Sequence, residues 1–270
     1  MNILERIIES KREEVESRRF AVPVAELEAN ELYSRKTISL KQFLNDTSKT
    51  GIIAEFKRKS PSKGIINDKA DVVEVTKAYA DNGASCLSVL TDEIYFGGTS
   101  SDLIKARINE VPILRKDFII DEYQITEAKS IGADVILLIA ACLSPAEVQR
   151  LAGFAKSLQL EVLLELHDEE ELGHICDETE IVGINNRNLK TFEVDIERSL
   201  RMAEKIPAGK IKVAESGISS VENILLFKQH GFKGFLIGEN FMKVENPTIA
   251  FAEFVKALQT SLKGGLGRGI

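Results

Sequence analysis

Acidic and basic side chains recur in this chain at the ends of short apolar runs. Glu55-Phe56-Lys57, Arg115-Lys116-Asp117, Glu165-Leu166-His167, Asn185-Asn186-Arg187 and Glu215-Ser216-Gly217 each close a stretch rich in Val, Ile, Leu and Ala, and Gly238-Glu239-Asn240 closes the last one. Lysines and glutamates gathered in one place can pass protons. Opposite charges a few ångströms apart favour both ionised forms and like charges disfavour them, so the pKa values within the set are pulled apart. Within Gly51–Gly64 the two-residue period of a strand puts Ala54 and Phe56 on one face and Ile53, Glu55 and Lys57 on the other, so an acid and a base share a surface. Any one such group taken alone is better explained as a rim ion pair or a helix cap. Together they exceed what decoration of a rim needs, and acid–base chemistry becomes the better reading.

Other chemistries lack their parts. His167, His174 and His230 are few and scattered; Glu165 with His167 could share a strand face, but one carboxylate and one imidazole do not make a metal site. No Ser/His/Asp arrangement and no Walker loop is present. Gly217 and Gly238, each directly after an apolar run, are either ordinary turn glycines or places where the backbone closes on an anion. Ser60, Ser62, Lys63 and Ser216 could add donors, which makes a small phosphorylated molecule the natural ligand.

The elements that must position these groups are legible as a repeat. Strand-like runs occur at Gly51–Lys57, Cys86–Thr91, Pro112–Lys116, Val135–Ala140, Glu161–His167, Ile181–Asn186, Ile211–Glu215 and Gly234–Gly238. Their landmarks Lys57, Thr91, Lys116, Ala140, Glu165, Asn186, Glu215 and Gly238 lie 21 to 34 residues apart, the length of a strand plus a returning helix. Ser144-Pro145 with Glu147 offers an N-cap, a proline at the first helical position and a capping-box acid; Asn246-Pro247 opens the last helix similarly, and Asp71 and Asp168 are further N-cap candidates. Gly83, Gly132 and Gly231 stand where a left-handed C-cap is expected. Eight such units with nearly all-apolar strands predict a closed parallel (β/α)8 barrel of the α/β class, whose chemistry sits at the C-terminal ends of its strands. Before it, Leu4, Ile7, Ile8 and Val15 recur at helical spacing from Leu4 to Arg18, and a weakly patterned stretch continues to about Asn45. The expected organisation is one domain over 1–270: a helical extension at 1–45, the barrel at 51–262 and a flexible glycine-rich tail at 263–270.

The 270 residues carry a net charge of -7, which argues against a general nucleic-acid binder. Cys86, Cys142 and Cys176 are odd in number and set among apolar neighbours, implying no disulfide framework. Neither a signal core nor an apolar run of membrane-spanning length is visible, so the cytoplasm is the expected location and no membrane partner is expected.

On particular stretches the chain resembles the indole-3-glycerol phosphate synthase family. They are Ile53-Ala54-Glu55-Phe56-Lys57-Arg58-Lys59-Ser60-Pro61-Ser62-Lys63-Gly64, Ser88–Asp92 with Tyr95-Phe96-Gly97-Gly98, Leu114-Arg115-Lys116-Asp117-Phe118, Gly183–Leu189, Ala214-Glu215-Ser216-Gly217-Ile218 and Leu236-Ile237-Gly238-Glu239, in family order. The resemblance implies conversion of 1-(o-carboxyphenylamino)-1-deoxyribulose 5-phosphate into indole-3-glycerol phosphate with loss of carbon dioxide and water, using no metal or organic cofactor, in tryptophan biosynthesis. It implies Lys116 as general acid for ring closure, Glu165 as its proton-transfer partner, Lys57 as a substrate-binding group that assists dehydration, and Glu55 as the residue that holds the cations. Asn185 and Arg187 would orient hydroxyl and carboxylate groups. Ser216 joins the catalytic set and Glu215 the substrate-binding one. Ser60, Ser216, Gly217, Gly238 and the Glu239 backbone would cradle the phosphate, and Phe96, Phe118 and Leu137 would form a slot for the anthranilate ring unless they are simply core. Asn240 departs from the small residue many relatives carry. A monomer, with at most weak association with other enzymes of the pathway, is expected. The sequence leaves open which lysine acts at which step. Two alternatives remain: an isomerase on another phosphate-binding barrel, which would be expected to carry an aspartate or cysteine pair instead of these lysines and glutamates, and a silent barrel that only binds.

Overall fold

In the computed structural model, which describes residues 3–188 and 193–265, the eight apolar runs become eight strands. They are β1 (Ile52–Phe56), β2 (Cys86–Leu90), β3 (Ile113–Lys116), β4 (Val135–Ile139), β5 (Glu161–Leu166), β6 (Ile181–Asn185), β7 (Ile211–Glu215) and β8 (Phe232–Ile237). All neighbours pair in parallel, and β1 closes the barrel by pairing with β2 (Ile53 opposite Cys86) and with β8 (Ile53 opposite Leu236). The period-two alternation sorts each strand between two apolar layers. Ile52, Ala54 and Phe56 pack outward with Leu87, Val89 and the helices, whereas Ile53, Leu114, Leu137, Leu163 and Val213 fill the barrel interior. A fully buried side chain of this kind contributes roughly 1.5–3 kcal/mol. Position 55 belongs to the inward set, so Glu55 and, beyond it, Lys57 are delivered to the barrel mouth.

The helix ends behave as their residues dictate. Ser144 and Glu147 form a complete capping box ahead of Pro145–Ser157, the Asp71 side chain accepts the Glu74 N–H, and Asn246 accepts the Ile249 N–H. Gly83, Gly132 and Gly231 all have left-handed φ after their helices. Asp168 differs: it precedes a 3₁₀ turn, Glu169–His174, without a side-chain cap. Glu171 serves that turn instead, accepting the His167 N–H at 2.6 Å. The last helix runs over Pro247–Gly265, and the remainder of the segment read as a tail, 266–270, lies outside the described residues.

The N-terminal extension covers both ends of the barrel. Helix α1 (Ile3–Ala21) lies at the C-terminal mouth, where Ile3, Leu4 and Ile7 line the cleft. A short helix α2 (Val24–Glu28) and a 3₁₀ turn, Glu31–Ser34, lead to α3 (Leu40–Asn45), whose Leu40 and Leu44 plug the opposite end of the interior. The buried Asp134 holds the connection, accepting the N–H groups of Ile38 and Ile113 at 2.8 Å each and pairing with Arg35 and Arg107. The charged contacts that tie the extension to the barrel have no legible spacing, because their partners lie far along the chain.

Candidate active site

The strand ends converge on a cleft of about 280 Å³ at the C-terminal mouth. Every residue picked out from the sequence as catalytic or substrate-binding lines it: Glu55, Lys57, Ser60, Phe96, Lys116, Phe118, Leu137, Glu165, Asn185, Arg187, Glu215, Ser216, Gly217, Gly238 and Glu239. Ser62 lines it as well. Lys63 does not; it is exposed, 3.8 Å from Glu239.

Two cation–carboxylate groups dominate. Lys116, last residue of β3, has its Nζ 2.7 Å from Glu165 Oε2 and 3.4 Å from Glu215 Oε2. Lys57 has its Nζ 2.6 Å from Glu55 Oε1. Burial works against the Lys116 charge, but the carboxylates of Glu165, Glu215 and Glu55 outweigh it and hold its pKa above the ordinary lysine range. Lys116 therefore carries its proton throughout the neutral range.

The two glutamates that share Lys116 are driven apart. Burial alone would raise Glu165, yet Lys116 and His167 together bring it well below the usual carboxylate range. Glu215 is pushed up to about 8 by burial first and by the Glu165 charge second, with Lys116 opposing. Two carboxylates around one ammonium cannot both ionise cheaply, so one stays anionic and the other neutral. Asn185 donates to Glu165 Oε1 at 3.0 Å, and His167 Nε2 lies 3.0 Å from the same oxygen, close but not aligned as a hydrogen bond. Burial lowers the imidazole, while Glu165 and Glu171 more than compensate and raise it to about 9.

Two glycines leave room for these carboxylates where they now lie. A Cβ on Gly183 would sit 2.1 Å from Glu215 Oε1, and one on Gly238 would sit 2.5 Å from Glu55 Oε1. Gly238 was legible in the sequence as an anion-site glycine; its closeness to Glu55 was not. Gly183 lies mid-strand, where nothing in the sequence sets it apart from a weak strand residue.

Phe96 and Phe118 also line the cleft, with ring centroids 6.0 Å apart and inclined at 41°, as does Leu137. Leu137 also belongs to the interior core, so it serves both purposes. Across the cleft Arg187 Nη2 is 3.5 Å from Glu239 Oε2, and Ser216 and Gly217 adopt consecutive left-handed conformations, φ +66° and +69°. Asn240 lies beside them in the lining.

Sequence reasoning missed Lys11. This α1 residue is only 1% exposed, and its Nζ lies 3.0 Å from Asp92, 3.0 Å from Asp117 and 2.8 Å from Glu14. Asp117 adjoins Lys116 and is held further by Thr91 (2.6 Å) and Arg115 (3.1 Å). Burial opposes ionisation of Asp117, but Lys11 and Arg115 prevail and place its pKa below the usual range. The available signal was spacing: Lys11, the one lysine of α1, lies four residues from both Ile7 and Val15 and so shares their buried face, but a lone cation there reads as a side chain that reaches out to solvent along its apolar stem. Among the described residues, no group of three or more His, Cys, Asp and Glu could hold a metal ion, and no helix is long and apolar enough to cross a membrane.

A closed parallel barrel with paired lysines and glutamates at its C-terminal mouth defines a (β/α)8-barrel enzyme of the acid–base kind. Solved structures agree on the fold: an alpha-subunit of tryptophan synthase from Pyrococcus furiosus superposes with a TM-score of 0.59 at 16% identity, covering 78% of this chain and 98% of that one. A chain of the tryptophan synthase a2b2 complex of the same organism gives 0.58 at 17%. Sequence carries the assignment further. The chain belongs to the indole-3-glycerol phosphate synthase family, whose family model matches residues 4–254. Curated indole-3-glycerol phosphate synthases are similar over nearly full length: 48% identical for Bacteroides thetaiotaomicron (96% of this chain, 99% of the relative), 42% for Salinibacter ruber (92% and 93%) and 43% for Bordetella pertussis (94% and 99%).

Proposed function

We propose that the barrel mouth performs the family reaction, closing 1-(o-carboxyphenylamino)-1-deoxyribulose 5-phosphate to indole-3-glycerol phosphate, with Lys116 as the proton donor for ring closure. The observation that carries this is the Lys116 ammonium held by both an anionic Glu165 and a neutral Glu215 in a cleft that Phe96 and Phe118 also line. The carboxylate-bearing ring carbon attacks the ketone carbon, and the ketone oxygen takes the Lys116 proton. Carbon dioxide leaves and returns its electron pair to the ring. The new hydroxyl then departs as water, taking one proton from an acid while one from the substrate passes to a base.

For dehydration the structure offers a division of labour that sequence alone left open. Glu215, neutral at physiological pH, is the available acid, and Glu165 is the carboxylate that takes up protons and reloads Lys116. Lys57, paired with Glu55 and 17% exposed, binds the substrate carboxylate. Phe96, Phe118 and Leu137 hold the anthranilate ring. Ser60, Ser216, Gly217, Gly238 and the Glu239 backbone receive the phosphate, with Asn185 and Arg187 orienting the sugar hydroxyls and carboxylate. The enzyme works in the cytoplasm as a monomer in tryptophan biosynthesis, where its three free cysteines suit a reducing compartment.

The test is a fluorescence assay of the purified protein with that substrate in EDTA, following the indole product. Turnover is the expected result. A folded protein that binds the substrate without turning it over would support the silent barrel, and absence of binding would overturn the choice of ligand.

A further inference from the structure

Asn186 directly follows β6, whose last residue is Asn185, and the two side chains go to different partners: Asn185 to Glu165 in the mouth, Asn186 to the Ser216 carbonyl. Asn186 is wholly buried, and its Nδ2 donates to the Ser216 carbonyl oxygen at 2.7 Å. Its backbone is fixed from both sides, the N–H donating to Glu215 O at 2.8 Å and the carbonyl accepting the Asp195 N–H at 2.9 Å. Its own Oδ1 has no partner among the described residues. A buried amide with one end unsatisfied is costly, so the end that is satisfied calls for an explanation.

The explanation lies in the peptide between Ser216 and Gly217. Ser216 is one of only two non-glycine residues with left-handed φ among the described residues, a conformation that an L-residue keeps only when its surroundings impose it. In a planar trans peptide the carbonyl and the following N–H point in opposite directions. Clamping the Ser216 carbonyl outward onto Asn186 therefore aims the Gly217 N–H inward, at the cleft that Ser216 and Gly217 line. Among the described residues nothing accepts a hydrogen bond from that N–H. Gly217 also has no room for a side chain, since a Cβ would come 2.4 Å from Val194 Cγ1.

We infer that Asn186 is a positioning residue for anion recognition: by holding the Ser216 carbonyl it presents the Gly217 N–H to the substrate phosphate. The inference rests on the phosphate reading of this end of the cleft. Asn186 never touches the substrate and takes no part in proton transfer, so its loss weakens phosphate binding and leaves the chemical step alone.

Asn186→Leu removes the donor at similar size, and Asn186→Ala removes it with less volume. Each is expected to raise KM and weaken competitive inhibition by inorganic phosphate by the same factor, about tenfold, as for the loss of one charge-assisted hydrogen bond, with kcat within twofold of wild type. Turnover of the dephosphorylated substrate should not change. Normal phosphate inhibition in a variant that folds overturns the inference, as does a fall in kcat at unchanged KM. Should both variants fail to fold, a phosphate titration of the wild type followed by amide NMR decides: the Gly217 amide shifts if it meets the anion, and its silence overturns the inference. Wild-type protein that turns over substrate but shows no phosphate inhibition at all would instead remove the phosphate reading beneath it.

Discussion

Replacing Lys116 by methionine separates the chemistry from the fold. The substitution keeps most of the side chain's length and removes the ammonium group 2.7 Å from Glu165 Oε2. A positioned general acid contributes about 10²–10⁴-fold, so kcat should fall by about 10³, equivalent to roughly 4 kcal/mol of barrel-mouth stabilisation of the transition state. KM should stay within a few fold, because the lost interaction matures only as the ketone oxygen takes up the proton. Breaking a buried ion pair by removing one partner commonly costs about 3–5 kcal/mol. Here Glu165 keeps the Asn185 amide and the His167 ring at 3.0 Å and can itself take up a proton, so the cost should be lower, about 2 kcal/mol, a Tm shift of about 4–8 °C. The assay is the indole fluorescence signal at saturating substrate and under single turnover, with circular dichroism to show that the fold is retained. A folded Lys116→Met enzyme with kcat within tenfold of wild type would refute Lys116 as the acid. Lys57→Met is the companion measurement: if Lys57 binds the substrate carboxylate, its KM rises more than its kcat falls.

Three further predictions rest on separate features of the mouth. The raised pKa of Glu215 means its proton is lost as pH rises through about 8, so wild-type kcat should fall above that pH; Glu215→Gln should be slower but lack that basic limb, and a limb that persists belongs to another group such as His167. By the same sign the proton bound on folding stabilises the protein fully below about pH 4.5, and that contribution is lost progressively as pH rises to about 8, so the Tm difference between wild type and Glu215→Gln should change between those pH values and level off above them. Lys11→Met leaves Asp92 buried without its cation and Asp117 with Arg115 alone; a loss of about 3 kcal/mol, seen as a Tm drop on the order of 10 °C, should accompany a raised KM as α1 loosens over the cleft, and an unchanged Tm would show the pins to be incidental. Gly183→Ala places a methyl group where the Glu215 carboxylate now lies; because a side-chain end can move, the fold should survive while kcat falls about 10–100-fold, and full activity would mean the position of that carboxylate is not critical.

Much of this protein was determined by its sequence. Local rules act over a few residues, and they were enough for the strands, for caps such as Ser144 with Glu147 and Asp71, and for the inward placement of Glu55 and Lys57 by period-two alternation. Once a parallel barrel is recognised, topology places the strand ends at one mouth, so Lys116, Glu165, Asn185 and Glu215 could be assigned to one site before any distance was known. What only the tertiary structure decided concerns partners far apart along the chain. Lys11, the one lysine of a charged helix, shares a face with Ile7 and Val15 but has no legible partner until Asp92 and Asp117 surround it, and Leu40 and Leu44 sit in an unpatterned stretch until the open end of the barrel receives them. The unequal roles of Glu165 and Glu215 were hidden for the same reason. Identical side chains acquire different charges through the burial they share, the unequal distances, 2.7 and 3.4 Å, at which they meet one ammonium group, and the His167 ring beside Glu165, and that arrangement exists only when the barrel has closed.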